Sequence, residues 1–139
     1  MDAQAKQEIA ELLARAAYAL DSRDLAAIEV CFHVEADFTL VIEGVAEASH
    51  FNGRPAILEL MQGALDAQTD ERRHAISNLF YPHTEPDKVT VCSYLTLMGT
   101  EGGETRLITT GLYTDQVVQS ESGGPWVIVD RHLKLDRPY

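Results

Sequence analysis

The order of two periodicities along the chain limits its fold more than any other feature. Apolar residues recur at helical spacing over residues 3–21, at Ile9, Leu12, Leu13, Ala16 and Leu20. From His74 onward, short segments of extended character follow one another, separated by turn-like links. Helices early and strands late predict an α+β domain in which a curved antiparallel sheet folds around helices.

Local signals predict further elements between these two regions. Ser22 or Asp24 can cap a short second helix that extends to Phe32. Residues 36–44 read as a strand closed by a glycine, and Pro55 lies near the first turn of a third helix. The final strands should form an antiparallel meander. They are predicted at residues 74–82, 88–100, 104–119 and 125–135, with the last three in the meander.

Composition narrows the classes of protein to which the chain can belong. Its 139 residues suit a single domain, 1–139, and no apolar run approaches the roughly 20 residues of a membrane helix. The N-terminus lacks the layout of a secretion signal, and Cys31 and Cys92 are isolated, so a cytoplasmic location is expected. A net charge of −11 argues against nucleic-acid partners and against anionic membranes.

Arg131 is the most unusual residue of the last predicted strand. It shares its phase with apolar residues only, namely Val127, Val129, Leu133 and Leu135. A buried unpaired charge is very costly, so Arg131 requires an anionic partner or a wet cavity. We expect it to face such a cavity, to bind a small-molecule substrate, and to be the only arginine or lysine deep in the core.

Asp21 and His74 are candidates for proton transfer. Asp21 ends the first helix on a flank of small residues, so it can reach the concavity of the sheet, cap the second helix or face water. His74 opens a strand on an inward phase shared with Asn78 and Phe80, either as a packing residue or as a proton carrier. An aspartate that accepts the second ring N–H would fix the tautomer. Asp21 would then orient the base His74, and Arg131 would stabilise an anion.

The remaining polar candidates carry weaker signals. Asn78 and Tyr113 can line a pocket or simply satisfy buried neighbours. The other histidines show no metal-ligand spacing, and no metal site is predicted. Nucleophile elbows, glycine-rich phosphate loops and paired-cysteine motifs are absent from the sequence.

Three segments carry a family resemblance over nearly the whole chain. Residues 18–32 (YALDSRDLAAIEVCF), 72–78 (RRHAISN) and 111–136 resemble the SnoaL-like branch of the nuclear transport factor 2-like superfamily. Members include scytalone dehydratase, hexachlorocyclohexane dehydrochlorinase and bile-acid dehydratase. The resemblance implies a cone-shaped barrel of a strongly curved mixed or antiparallel sheet around N-terminal helices. It also implies a pocket and frequent homodimers, and matches Asp21 and His74 to a cofactor-free His–Asp base and Arg131 to a late-strand arginine.

One difference from the lytic members leaves the activity open. Where those members carry Tyr or Lys, this chain has Leu20 and Ala16. Our first hypothesis is a cofactor-independent lyase or isomerase acting on a small hydrophobic, cyclic substrate. The alternatives are a non-catalytic small-molecule-binding domain and an accessory subunit of the same fold. In each case we expect a homodimer, because strands 88–100 and 104–119 carry apolar or threonine side chains on both phases.

Overall fold

Three helices precede most of a six-stranded sheet in the computed structural model, which describes residues 1–139. The helices are α1 (Ala3–Asp21), α2 (Leu25–Glu29) and α3 (Arg54–Ala67). The strands are β1 (Phe32–Ile42), β2 (Ser49–Asn52), β3 (Glu71–Thr84), β4 (Val89–Glu101), β5 (Glu104–Gln119) and β6 (Trp126–Leu135). The predicted α+β class is confirmed. None of the helices combines the length and apolar character that crossing a membrane requires.

Capping residues set where the helices begin. The Asp2 side chain accepts the Ala5 backbone N–H at the start of α1, and Asp24 accepts the Ala27 N–H at the start of α2. Pro55 lies in the first turn of α3, where its missing N–H removes no helical bond. The second helix is shorter than predicted, because Phe32 is already the first residue of β1.

The sheet is mixed, curved and open. Its strand order is β2-β1-β6-β5-β4-β3, so β2 and β3 are edge strands, each paired on one side only, and the barrel does not close. Consecutive strands β3 to β6 pair antiparallel, as predicted for the final meander, whereas β1 lies parallel to β6. Strand β2, which pairs with β1, was not predicted. It is only four residues long, and its residues are mostly exposed.

Irregular pairing in two strands alters the predicted inward phases. In β6 the pairs Gln116–Asp130 and Val117–Ile128 leave Val129 as an extra residue. The predicted phase therefore holds from Arg131 onward, but before the bulge Ile128, rather than Val129, is fully buried in the core. In β3 the register shifts between Ser77 and Phe80, with consequences for the site.

Candidate active site

Asp21 and His74 form a closely coupled hydrogen-bonded pair. The distance between His74 Nδ1 and Asp21 Oδ1 is 2.6 Å, and the backbone N–H of His74 donates to both Asp21 oxygens at 3.1 Å each. The two side chains are only 13–14% exposed. The sequence left three positions open for Asp21: the concavity of the sheet, the start of the second helix, or solvent. In the structure its side chain is largely buried and lies beside His74.

The ends of α1 and α3 position this pair. Asp21 is the last residue of α1, and His74 lies in β3, against which α1 packs. Arg23, at φ +57° in the turn after α1, donates to the carbonyls of Leu65 and Gln68 at the end of α3. A cation near the carbonyls at the C-terminal end of a helix is favourable. It ties the end of α1 to the segment that leads into β3, which holds Asp21 in place.

The pairing defines which nitrogen of His74 can act as a base. An ionised carboxylate only accepts hydrogen bonds, so Nδ1 carries the proton that Asp21 accepts. The lone pair then belongs to Nε2, which makes no hydrogen bond within the chain. His74 lines an apolar cavity of the protein, whereas Asp21 does not. The arrangement is that of a base with its orienting carboxylate behind it.

The cavity lies between the concave face of the sheet and helices α1 and α3. Thirteen of its 17 lining residues are hydrophobic, which suits an apolar ligand body. The centres of water-sized molecules can occupy about 80 Å³ of it, and the surrounding empty space of about 680 Å³ includes solvent at its open mouth. Leu20, which directly precedes Asp21 in α1, lines the cavity on the side of that helix. No group of three or more His, Cys, Asp or Glu side chains is arranged to hold a metal ion.

Arg131 lies inside the core and already has an anionic partner. Its Nε and Nη2 donate to the two carboxylate oxygens of Asp115 at 2.8 and 3.0 Å, and both side chains are almost wholly buried. Burial disfavours the charged guanidinium, but the attraction and hydrogen bonds of Asp115 outweigh that effect and raise the pKa of Arg131. The expectation of a wet-pocket arginine without a structural partner was therefore wrong, although Arg131 does line the cavity.

Tyr113 lines the cavity directly beneath that guanidinium. The Arg131 Cζ atom lies 4.1 Å from the centroid of the Tyr113 ring, a cation–π contact. The ring is 4% exposed, and burial raises the pKa of its hydroxyl despite the opposing effect of the nearby arginine. The phenol therefore stays protonated through the neutral range.

Asn78 lies outside the cavity. It is exposed and adopts φ +57°, at the irregularity in β3 between Ser77 and Phe80. The same shift turns Phe80 outward, where it is 55% exposed. The predicted inward phase of both residues was wrong, because alternation from His74 is interrupted within four residues.

Two charged residues of the site escaped the sequence analysis. Asp115 shares the inward phase of β5 with Tyr113 and pairs in register with Arg131, so alternation along residues 111–117 was a usable signal. Arg72 precedes His74 by two residues on the same face and also lines the cavity. It was missed because β3 begins at Glu71, three residues earlier than predicted. Arg72 is half-buried, with its side chain 11% exposed, whereas Arg131 is the only arginine or lysine among the buried residues, as predicted.

Residues 1–132 match the family model of the SnoaL-like domain. The chain belongs to the SnoaL-like family. This match covers Asp21, His74 and Arg131, the residues on which the sequence resemblance rested. No curated protein matches this SnoaL-like chain at a significant level.

Solved structures similar to this SnoaL-like protein share its fold. A cystatin-like protein of unknown function from Nostoc punctiforme is 25% identical, with a TM-score of 0.81 over 98% of this chain and 94% of that one. The β subunit of a putative aromatic-ring-hydroxylating dioxygenase from Novosphingobium aromaticivorans is 20% identical (TM-score 0.82; 97% and 91% covered). LinA is 22% identical, with a TM-score of 0.76 over 96% and 86% of the two chains.

Proposed function

We propose that this SnoaL-like protein is a cofactor-independent lyase or isomerase that removes a proton from a small hydrophobic, cyclic substrate. The observation that carries the proposal is the 2.6 Å contact between His74 Nδ1 and Asp21, with the histidine at the wall of an apolar cavity. A histidine whose outer nitrogen is free and whose inner nitrogen is held by a carboxylate is equipped as a general base.

The proton and electron balance of the reaction follows from this geometry. A C–H bond of the substrate breaks, its proton passes to Nε2 of His74, and the electron pair stays on the substrate. Asp21, fixed by the His74 backbone N–H, stabilises the imidazolium that forms. The electron pair then either expels a leaving group, giving a lyase, or shifts and recaptures the proton from Nε2, giving an isomerase.

Arg131 and Tyr113 are proposed to contact the substrate. Both line the cavity, and the Arg131 charge lies in surroundings where water competes little. Electrostatic stabilisation of a developing anion is strong in such surroundings. Because two of its N–H groups are already held by Asp115, Arg131 would act with little reorganisation.

A non-catalytic small-molecule-binding domain is the alternative that one observation favours. Leu20 lines the cavity at a position where lytic relatives carry a hydrogen-bonding side chain, so this chain lacks a donor for a leaving group there. That difference weakens elimination more than isomerisation, since proton return needs only His74. An accessory role for this chain is a further alternative, because the similar structures include the β subunit of a putative dioxygenase.

Exchange of carbon-bound hydrogen tests the proposal without knowledge of the product. Cyclic ketones and related carbon acids would first be screened by thermal shift, because a ligand that binds the native state raises its melting temperature. Binders would then be incubated with the protein in D₂O, and deuterium uptake measured by mass spectrometry. We expect uptake with the wild type and with His83→Gln, an exposed control, and its loss with His74→Gln.

Each outcome discriminates between the two functions. Uptake that survives in His74→Gln would contradict the general-base role. Ligands that bind tightly but show neither exchange nor turnover with the wild type would favour the binding domain.

A further inference from the structure

We propose that the cavity takes a cyclic ligand that carries a carboxylate, and that Arg72 binds this carboxylate. The inference rests on the proposed function only in assigning the ligand to the cavity of His74. It adds a chemical class, an anionic ring compound, to a substrate that was otherwise described only as hydrophobic.

Arg72 lines the cavity and has a buried donor without a partner. Its side chain is 11% exposed, its Nε donates to Asp70 Oδ1 at 2.7 Å, and its Nη1 is buried without any hydrogen-bond partner. Buried guanidinium N–H groups are rarely left unpaired, because each loses its hydration without compensation. A ligand oxygen at Nη1 would remove this cost.

The neighbours of Arg72 leave its side of the cavity with excess positive charge. Asp70 is shared between two arginines, since its Oδ2 also lies 3.8 Å from Nη2 of Arg106. Gly99, the register partner of both arginines, creates the space for this carboxylate. A Cβ atom at Gly99 would lie 2.5 Å from Asp70 Oδ2. One carboxylate between two guanidinium groups leaves about one net positive charge.

The other charged residues of the lining do not compensate for Arg72. The charged or ionisable side chains among them include Arg72, Arg131 and His74, but no carboxylate. The charge of Arg131 is balanced by its two bonds to Asp115, whereas Arg72 shares its only partner. An anion therefore gains more at Arg72 than elsewhere in the cavity. A carboxylate matches the planar donors of a guanidinium.

The spacing along β3 keeps the proposed carboxylate site within one small ring of the base. Arg72 and His74 are two residues apart on one face, which corresponds to about 7 Å along a strand. A carboxylate on Arg72 would place the far side of a six-membered ring near Nε2 of His74. The substrate class is thus a cyclic carboxylic acid whose reactive carbon lies across the ring from its acidic group.

Matched acid and amide probes test this inference directly. Cyclohexanecarboxylate, benzoate and 2-naphthoate would each be compared with the corresponding neutral amide by calorimetry, at low salt. We expect the wild type to bind at least one acid about tenfold or more tightly than its amide, as charge-assisted hydrogen bonds allow. Arg72→Gln should lose this preference, and Arg72→Lys should keep part of it.

Control variants separate Arg72 from its surroundings and from the proposed reaction. Arg15→Gln removes a 72% exposed arginine of α1 that does not line the cavity and should keep the preference. His74→Gln should also keep it, because binding does not require the base. Circular dichroism would verify that each variant is folded.

Three results would overturn the inference. One is an acid preference that persists in folded Arg72→Gln, and another is the loss of that preference in the control Arg15→Gln. The third is the absence of any acid preference in the wild type, whether or not the probes bind. Acid preference without hydrogen exchange would instead leave the anion site in place and contradict the proposed reaction.

Discussion

Arg131 and Asp115 form a two-pronged ion pair between adjacent strands, at 2.8 and 3.0 Å, with the carboxylate fully buried. The pair satisfies a charge that would otherwise be very costly at this depth. It also holds the guanidinium 4.1 Å from the Tyr113 ring centroid and so stiffens one wall of the cavity. Of the two alternatives that the sequence left open for Arg131, an anionic partner and a wet cavity, the structure thus provides the anionic partner.

Replacing one partner of this ion pair should destabilise the fold more than replacing both. Arg131→Met should lower the free energy of unfolding by about 3–5 kcal/mol, because it strands the Asp115 carboxylate in the core. The double variant Arg131→Met/Asp115→Leu should recover much of that loss, since no unpaired charge remains. Urea denaturation of the wild type, both single variants and the double variant measures the coupling. Additive losses would contradict a coupled pair.

Asp21 and His74 should behave as one catalytic unit. On a substrate found by the exchange screen, His74→Gln should lower the rate about 10²–10⁴-fold, the usual contribution of a general base. Asp21→Asn should lower it too, because an amide cannot stabilise the imidazolium as a carboxylate does. The double variant should be little worse than His74→Gln alone. Losses that multiply would show that the two residues act independently.

Asp70 should contribute stability that depends on pH. Burial alone would raise the pKa of Asp70, but Arg72 and Arg106 outweigh burial and lower it. A lowered pKa means that the contribution is complete above the ordinary value of about 3.9 and is lost as the pH falls further. Asp70→Asn should therefore be less stable than the wild type at pH 7, with a gap that narrows below about pH 4.

Unfolding in urea at pH 7, 5, 4 and 3 would measure this gap. Asp87→Asn, in the exposed turn after β3, is the control and should match the wild type throughout. A gap that stays constant from pH 7 to pH 3 would mean that the carboxylate charge of Asp70 is not what stabilises the fold.

Adding even a methyl group at Gly99 should lower the free energy of unfolding. A Cβ atom there would lie 2.5 Å from Asp70 Oδ2 and 2.7 Å from Ile108 Cδ1, so Gly99→Ala must displace the carboxylate from between its arginines. We expect a loss of about 1–3 kcal/mol, typical of overpacking. Gly63→Ala is the control: it meets nothing within 4 Å in α3 and should stabilise by up to about 1 kcal/mol. Equal effects of the two substitutions would exclude crowding at Gly99.

The convex face of the sheet should mediate a homodimer. Tyr94 and Leu112 are register partners on this face and remain 53% and 39% exposed, with Phe80 also exposed nearby on β3. Exposed apolar groups on neighbouring strands favour a second copy as their cover. Light scattering at micromolar concentration should give twice the mass of the chain. Tyr94→Lys should give the monomer mass, and Val45→Lys, in an exposed loop, should not.

Local patterns in the sequence were sufficient where neighbouring residues decide the outcome. The bounds of α1, the start of α3 near Pro55 and the final antiparallel meander all depend on periodicity, caps and turns within a few residues. The inward phase of Arg131, Leu133 and Leu135 followed in the same way from strand alternation.

Tertiary structure decided everything that depends on which strand lies beside which. Periodicity contains no information on bulges, so the outward turn of Asn78 and the buried place of Ile128 were not predictable from it. The sequence by itself determined that a charge enters the core at Arg131. Only the pairing of β5 with β6 decided that Asp115 balances it, and only the packing of β3 against α1 placed Arg72 in the cavity, because partners distant in the chain meet through packing alone.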